Sequence, residues 1–339
     1  MQNRHRIIIL YIIIIDLFIN LSLSITDLEL LKLKEHRKCD SNDFKYGQWL
    51  KGAKECGLVY KNNDLKQKWE DWCFQPRYCN PKPFSTNDFC NNLNSKSMLF
   101  VGDSLMFQFY ETLIDLIDTN IRHPDQWVPY NKINNVLICN SSSTIHFIRN
   151  DHLTIKNNNQ PRNTENSLRQ SHMAKFANNN WIDYMKEFDV IIISKGHHMV
   201  PLQGHPELFK RETLETIEYL QNNLNETQRL YFLTTSPGHP YCSSLDNVND
   251  TVVTIDNITS LYISDEKSKY NDEYGWSDFD KSDEYIISLL TKLNATVINI
   301  TPMTKLRPDG HMFEQDDCLH YHRPGPIDSW VLAFYNLLF

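Results

Sequence analysis

Residues 97–105, Ser97-Met98-Leu99-Phe100-Val101-Gly102-Asp103-Ser104-Leu105, decide how the rest of the chain is read. Met98 to Val101 is a short apolar run bounded by turn residues, the pattern of a strand buried on both faces. Gly102-Asp103-Ser104 then forms a tight turn. From Leu105 to about Asp118, Leu105, Phe109, Leu113, Leu116 and Ile117 recur at helical spacing. The unit is strand, turn, helix.

The pattern recurs along the chain. Phe188 to Ser194 is a second buried strand, ending at Lys195-Gly196-His197-His198. Glu207 to Asn223 reads as a helix, with Leu208, Thr213, Ile217 and Leu220 near one face. Leu230 to Thr234 is a third strand, ending at Thr235-Ser236-Pro237-Gly238-His239. A helix from about Asp280 to Leu293 leads to a fourth strand, Thr296 to Ile300. A loop then carries Asp309 to His322, and Trp330 to Leu338 closes the chain as a helix. Residues 136–138 and 144–148 read as further strands, and Asn157 to Asn166 as a polar loop. Strands alternating with helices imply an α/β fold, a parallel sheet with helices on both faces. Ligands of such sheets bind beyond the carboxyl ends of the strands, where the Ser104, His197 and His239 turns converge.

A serine hydroxyl is a weak nucleophile until a base takes its proton and fixed donors meet the oxyanion. Ser104 stands where a strand becomes a helix, so backbone N–H groups and the helix dipole favour negative charge there. The competing reading is a serine that merely caps the helix. Asp317-Cys318-Leu319-His320 supplies a carboxylate three residues before a histidine. On a helical turn these share a face, leaving one ring nitrogen for the serine. Among 13 histidines, His311 is the strongest rival base. No H-x-x-x-H or H-E-x-x-H pattern occurs, so no metal site is read. The substrate-pocket candidates are Gly102, Asp103, His197, His239, Arg307 and His311.

The 339 residues fit one large domain, or one with a smaller attachment. A net charge of −8 argues against nucleic acid as partner, since phosphate binding needs a basic surface. The first 24 residues read as a signal peptide: Arg4 and Arg6, the apolar run Ile7 to Ile15, then Ser22-Leu23-Ser24. The alternative is an uncleaved signal anchor, which Asp16 and Asn20 disfavour. Asn140, Asn225, Asn249, Asn257, Asn294 and Asn299 open glycosylation sequons. Five of the eight cysteines, Cys39, Cys56, Cys73, Cys79 and Cys90, crowd residues 25–95 beside Trp49, Trp69 and Trp72. In an oxidising lumen that is a disulfide-stapled region packed on the body of the molecule. Zinc is the rival reading, but no pair has Cys-x2–4-Cys spacing.

Two blocks carry a resemblance. Met98 to Leu105, and Asp317-Cys318-Leu319-His320 followed by Pro324-Gly325 and Asp328-Ser329-Trp330, are similar to the signature blocks of the PC-esterase superfamily. That group includes plant trichome birefringence-like proteins and sialic acid O-acetyltransferases. Cys39-Asp40, Gly47-Gln48-Trp49 and Trp72 to Cys79 resemble the cysteine- and tryptophan-bearing region that precedes the catalytic block in the plant proteins. The resemblance implies an SGNH-hydrolase-like α/β/α sandwich over residues 96–339. It implies acyl transfer, usually of acetyl, onto sugar hydroxyls of polysaccharides or glycans in the Golgi or secretory lumen. Ser104 would be nucleophile, His320 base and Asp317 its orienting partner, with Ser104 and Gly196 as oxyanion-hole candidates. Ser194 stands where the plant proteins have Asn, and Gln108 lies where an arginine often follows the nucleophile block. His322 replaces a second cysteine after His320, and Cys318 and Cys242 are candidates to pair instead. No cofactor is implied beyond an acyl donor as co-substrate, supplied through a membrane partner. The alternatives are a secreted carbohydrate O-acetylesterase using the same three residues, and a non-catalytic glycan-binding protein.

Overall fold

The computed structural model describes residues 37–51, 56–58, 72–118, 134–155, 180–198, 206–239, 242, 252–253, 275–312 and 317–338. The signal segment, the loop at 157–166, Trp69, and the sequons at Asn249 and Asn257 lie outside these residues.

The strand expected at residues 97–101 is Met98–Gly102 (β3), and its helix is Ser104–Ile117 (α2). The strands beside it are Asn134–Ile138 (β4), Ser143–Arg149 (β5), Val190–Ile193 (β6), Arg229–Leu233 (β7) and Ala295–Ile298 (β9). They form one six-stranded sheet in the order β4-β5-β3-β6-β7-β9. Neighbours from β5 to β9 pair in parallel, and β4 pairs antiparallel with β5 as an edge hairpin. The sheet is thus mostly parallel rather than wholly so. A short hairpin can join only antiparallel strands.

Alternation along the strands sorts the core into two layers. Met98, Phe100, Ile145, Phe147, Val190, Ile192, Tyr231 and Leu233 face one side, packing with α2 and the closing helix Pro326–Leu338 (α6). Leu99, Val101, Ile148, Ile191, Ile193, Leu230 and Phe232 face the other, packing with Pro206–Asn223 (α3) and Phe279–Leu290 (α4). The result is an α/β/α sandwich. The closing helix starts at Pro326, four residues earlier than expected at Trp330. Proline's fixed φ and missing N–H suit a first helical position.

The cysteine-rich region lies against the α2/α6 layer. Its strands Gly47–Lys51 (β1) and Trp72–Pro76 (β2) pair antiparallel, and Val252–Val253 (β8) joins β1 as a third strand. Trp49 donates from Nε1 to the Met303 carbonyl at 2.8 Å, and Ser329 Oγ accepts from Phe74 N at 3.1 Å. A helix unread in the sequence, Thr86–Leu93 (α1), starts at Ser85, whose Oγ accepts from Asp88 N. It stops at Asn94 in the left-handed region (φ 51°), which Asn tolerates. All eight cysteines are bonded: Cys39–Cys79, Cys56–Cys73, Cys90–Cys139 and Cys242–Cys318. Four disulfides belong to an oxidising compartment. Among the described residues, no helix is long and apolar enough to cross a membrane.

Candidate active site

Asp103, not Ser104, caps α2. Its backbone is extended and its Oδ1 accepts from Leu105 N at 2.9 Å and Met106 N at 3.3 Å. The Ser104 hydroxyl is therefore not consumed by capping. It sits at the first turn of the helix, 2.7 Å from His320 Nε2. His320 Nδ1 lies 2.7 Å from Asp317 Oδ2. The structure thus brings Ser104, His320 and Asp317 into one hydrogen-bonded chain across 216 residues of sequence.

The Asp317–His320 contact does not come from a helical turn, as the i, i+3 spacing suggested. Residues 318–320 are bends. The Asp317 side chain organises them itself, its Oδ1 accepting from Leu319 N at 3.0 Å and His320 N at 2.9 Å. An aspartate that binds backbone two and three residues ahead competes with helix formation. Burial acts to raise the Asp317 pKa, but the His320 hydrogen bond and charge, with these N–H groups, hold it well below the usual carboxylate range. The carboxylate stays ionised and fixes the ring.

The loop bearing the base is tied down at several points. Gln108, one helical turn after Ser104, donates from Nε2 to the Tyr321 carbonyl at 2.8 Å and accepts from Tyr321 N at 3.3 Å. Tyr321 Oη donates to the Pro237 carbonyl at 2.9 Å. His239 N donates to the Cys318 carbonyl at 3.0 Å, and the Cys242–Cys318 disulfide fastens the same two loops. Gln108 and Tyr321 were not singled out as site residues. The signal for Gln108 was its place four residues after Ser104, on the same helix face.

The six pocket candidates need correction. Asp103, His239, Arg307 and His311 are buried, the His197 side chain is only 4% exposed, and all five are engaged, so they brace the site from below rather than line it. His311, the rival base, is fully buried. Its Nδ1 bonds the His320 carbonyl at 3.0 Å, and its Nε2 lies 2.6 Å from His239 Nδ1. Burial lowers the pKa of both rings, that of His239 to about 4. Arg307 pairs with Asp309 through Nε and Nη2 at 2.8 and 3.0 Å, and its guanidinium lies over Trp49 and Trp72. Gly102 leaves room beneath the turn: a Cβ there would come within 2.3 Å of Ser194 Oγ. Ser194 itself is buried, its hydroxyl without a hydrogen-bond partner among the described residues. Gly196 lies three residues beyond the end of β6, and a Cβ there would meet Thr235 Oγ1 at 2.3 Å. Of the described sequons, Asn140, Asn225 and Asn294 are exposed, whereas Asn299 is half-buried and its Thr301 hydroxyl bonds Thr234 and Thr235.

Beside the nucleophile turn lies a second polar cluster. Arg149 and Asp151 pair at the end of β5, and His198 lies 3.7 Å from Asp151. His197 binds Asp103 Oδ2 through Nδ1 at 2.7 Å.

Comparison with known proteins places this geometry. A rice xylan O-acetyltransferase is 24% identical over 316 residues, covering 80% of this chain and 61% of its own length. A poplar (Populus trichocarpa) xyloglucan O-acetyltransferase is 21% identical over 358 residues, covering 86% and 79%. The chain therefore spans about three fifths of the length of the rice relative. Among solved structures, a catalytic mutant of an acetylxylan esterase from Geobacillus stearothermophilus is similar at TM-score 0.35 and 8% identity, covering 71% of this chain and 93% of that one. The family model described as a GDSL/SGNH-like acyl-esterase family found in Pmr5 and Cas1p matches residues 82–213 and 204–337, which hold all three residues of the hydrogen-bonded chain, and the protein belongs to this PC-esterase family.

Proposed function

We propose that the protein is a polysaccharide O-acetyltransferase that works through an acetyl-Ser104 intermediate in the secretory pathway, in the Golgi lumen or outside the cell. The observation that carries this reading is the pair of 2.7 Å contacts linking Ser104 Oγ, His320 and Asp317 at a helix start. Relatives named for xylan and xyloglucan O-acetylation support the acceptor class, and four disulfides support the compartment.

In the first half-reaction, Ser104 Oγ attacks the donor's acetyl carbon as its proton passes to His320 Nε2. The oxyanion forms beside the N–H groups that open α2. As the intermediate collapses, the bond to the donor breaks and His320 returns the proton to the leaving group. In the second half, a sugar hydroxyl gives its proton to His320 and attacks the acetyl carbon. Ser104 Oγ leaves and recovers the proton. Asp317 keeps Nδ1 protonated throughout, so Nε2 is free to accept.

Hydrolysis is the second reading, favoured by one observation. The His320 and Asp317 side chains are 17% and 28% exposed, so water reaches the base. The test is intact mass after exposure to an activated acetyl ester, for wild type and Ser104→Ala. A one-acetyl adduct on Ser104, absent from Ser104→Ala and discharged faster by xylo-oligosaccharide than by water, is the expected result. Discharge unaffected by sugar favours the esterase. No adduct on folded protein across several donors overturns both in favour of a binding protein.

A further inference from the structure

The helix that presents Ser104 is capped by a carboxylate one residue away. A buried negative charge there opposes the oxyanion that must form at the same helix start. We propose that His197 is a positioning residue that stays an imidazolium, pairing with Asp103 so that the cap is electrically neutral and the helix start remains available to the oxyanion. This rests on the reading that Ser104 is acylated.

The hydrogen-bond partners fix the ring's protons. Asp103 Oδ1 is engaged by Leu105 N and Met106 N, which requires an acceptor. Its Oδ2 lies 2.7 Å from His197 Nδ1, so Nδ1 donates. His197 Nε2 lies 3.1 Å from the Ser236 carbonyl oxygen, which has only lone pairs to offer, so Nε2 donates as well. Ser236 Oγ, at 3.2 Å, accepts equally well. A neutral ring that instead accepted from Ser236 Oγ would aim its lone pair at that carbonyl. With donors on both nitrogens the ring is charged.

The surroundings agree. Asp103 and the His197 side chain are almost fully buried, and the Phe279 ring stands edge-on at 5.3 Å. His198 adds attraction to the Asp103 charge, and Asp283 from α4 adds attraction to the His197 charge once it ionises at about pH 7. Asp151, at the end of β5 and itself paired with Arg149, interacts with both His198 and Asp103. Burial works to lower the His197 pKa and to raise that of Asp103. The pairing reverses both, lifting His197 and holding Asp103 well below the carboxylate range. The topology makes the encounter unavoidable: β6 pairs with β3, Val101 opposite Ile193, so the turns that follow the two strands meet.

The test has two arms. In wild-type protein labelled with ¹⁵N-histidine, both His197 ring nitrogens should report bound protons from pH 5 to 8, with His197→Gln used for assignment. In the second arm, Ser104 acylation by 4-nitrophenyl acetate is timed by intact mass. His197→Gln should slow it on the order of 100-fold, the scale of losing one oxyanion-hole donor. Adding Asp103→Asn, which still caps the helix, should restore at least tenfold, because the unopposed carboxylate is gone. A merely structural role predicts that the double variant is no faster than His197→Gln, and that result overturns the inference. So does a neutral His197 ring at pH 7, read in the wild-type protein. Wild-type protein that never acylates refutes the functional reading and this role with it. Acylation alongside a neutral ring refutes the inference alone.

Discussion

Replacing Asp317 with asparagine tests the role of the chain from Ser104 to Asp317 without dismantling it. The amide oxygen can keep the contacts that Oδ1 makes with Leu319 N and His320 N. The amide nitrogen then faces His320 Nδ1 where Oδ2 stood at 2.7 Å. A donor there forces Nδ1 to accept, which moves the ring proton to Nε2. That proton points at Ser104 Oγ, 2.7 Å away, and the ring can no longer take the hydroxyl's proton. The wrong tautomer in a Ser-His-Asp arrangement lowers the rate by about 10⁴, or roughly 5.5 kcal/mol at about 1.4 kcal/mol per decade. Stability should change by no more than about 1 kcal/mol, the scale of a partly exposed pair. The assay is the rate of Ser104 acetylation by an activated ester between pH 6 and 9, beside urea unfolding of the same variant. A folded Asp317→Asn that acylates within tenfold of wild type would refute the assignment of Asp317. A slow Asp317→Asn that also loses well over about 1 kcal/mol of stability in urea would refute the geometric argument.

Two further outcomes follow from buried groups around the site. Burial raises the Asp283 pKa from 3.8 to about 7 despite hydrogen bonds from Thr235 N and Oγ1. A folded pKa above the unfolded one gives stability that is full at low pH and lost as pH rises through about 4 to 7. Against Asp283→Asn, whose amide mimics the protonated acid, wild type should lose at most about 4 kcal/mol across that window. Urea midpoints measured at pH 4, 5.5 and 7.5 check this, and parallel curves for the two proteins would contradict it. Separately, replacing Cys242 and Cys318 with serine opens a cross-link of 76 residues. The chain-entropy estimate for that span is about 4 kcal/mol, and acylation should fall by roughly tenfold because Cys318 lies between Asp317 and His320. Unfolding free energy and acylation rate both at wild-type values would show that the bond holds neither the fold nor the base.

The strands and helices were legible where periodicity was strong. Met98–Gly102 and Val190–Ile193 are buried on both faces, and continuous apolar runs announce that. The β4–β5 hairpin was harder to read, because Cys139, Asn140 and Ser141 turn with positive φ, unusual for residues other than glycine. The three residues of the site were legible from local context. Their bracing was not. Gln108 and Tyr321 look ordinary in sequence because their function depends on partners up to 213 positions away. Polar residues near a motif read as pocket lining, yet Asp103, His239, Arg307 and His311 are interior, as is the His197 side chain. Periodicity speaks to which side of an element a residue takes. It is silent on whether a polar tip meets water or another buried group.

The bracing explains how a loop outside the sheet holds a base at hydrogen-bonding distance. Proton transfer needs Nε2 and Oγ within a few tenths of an ångström of their working separation. Among the described residues, the loop at 317–322 makes no ladder with the sheet, and its one bridge joins Tyr321 to His311. Gln108 ties Tyr321 to the helix that carries Ser104, so the nucleophile and the residue after the base share one support. The disulfide, the His239 N–H and Tyr321 Oη tie the same loop to the turn after β7. His197 reaches that turn as well, at Ser236, from the strand beside β3. Asp103, Ser104 and His320 are therefore all referred to the turns after β3 and β7, which flank the turn after β6 at one sheet edge. A displacement of either turn moves donor and acceptor together, and their separation changes less than their position. That is how a site assembled from residues 104, 317 and 320 keeps its geometry although only Ser104 adjoins a strand.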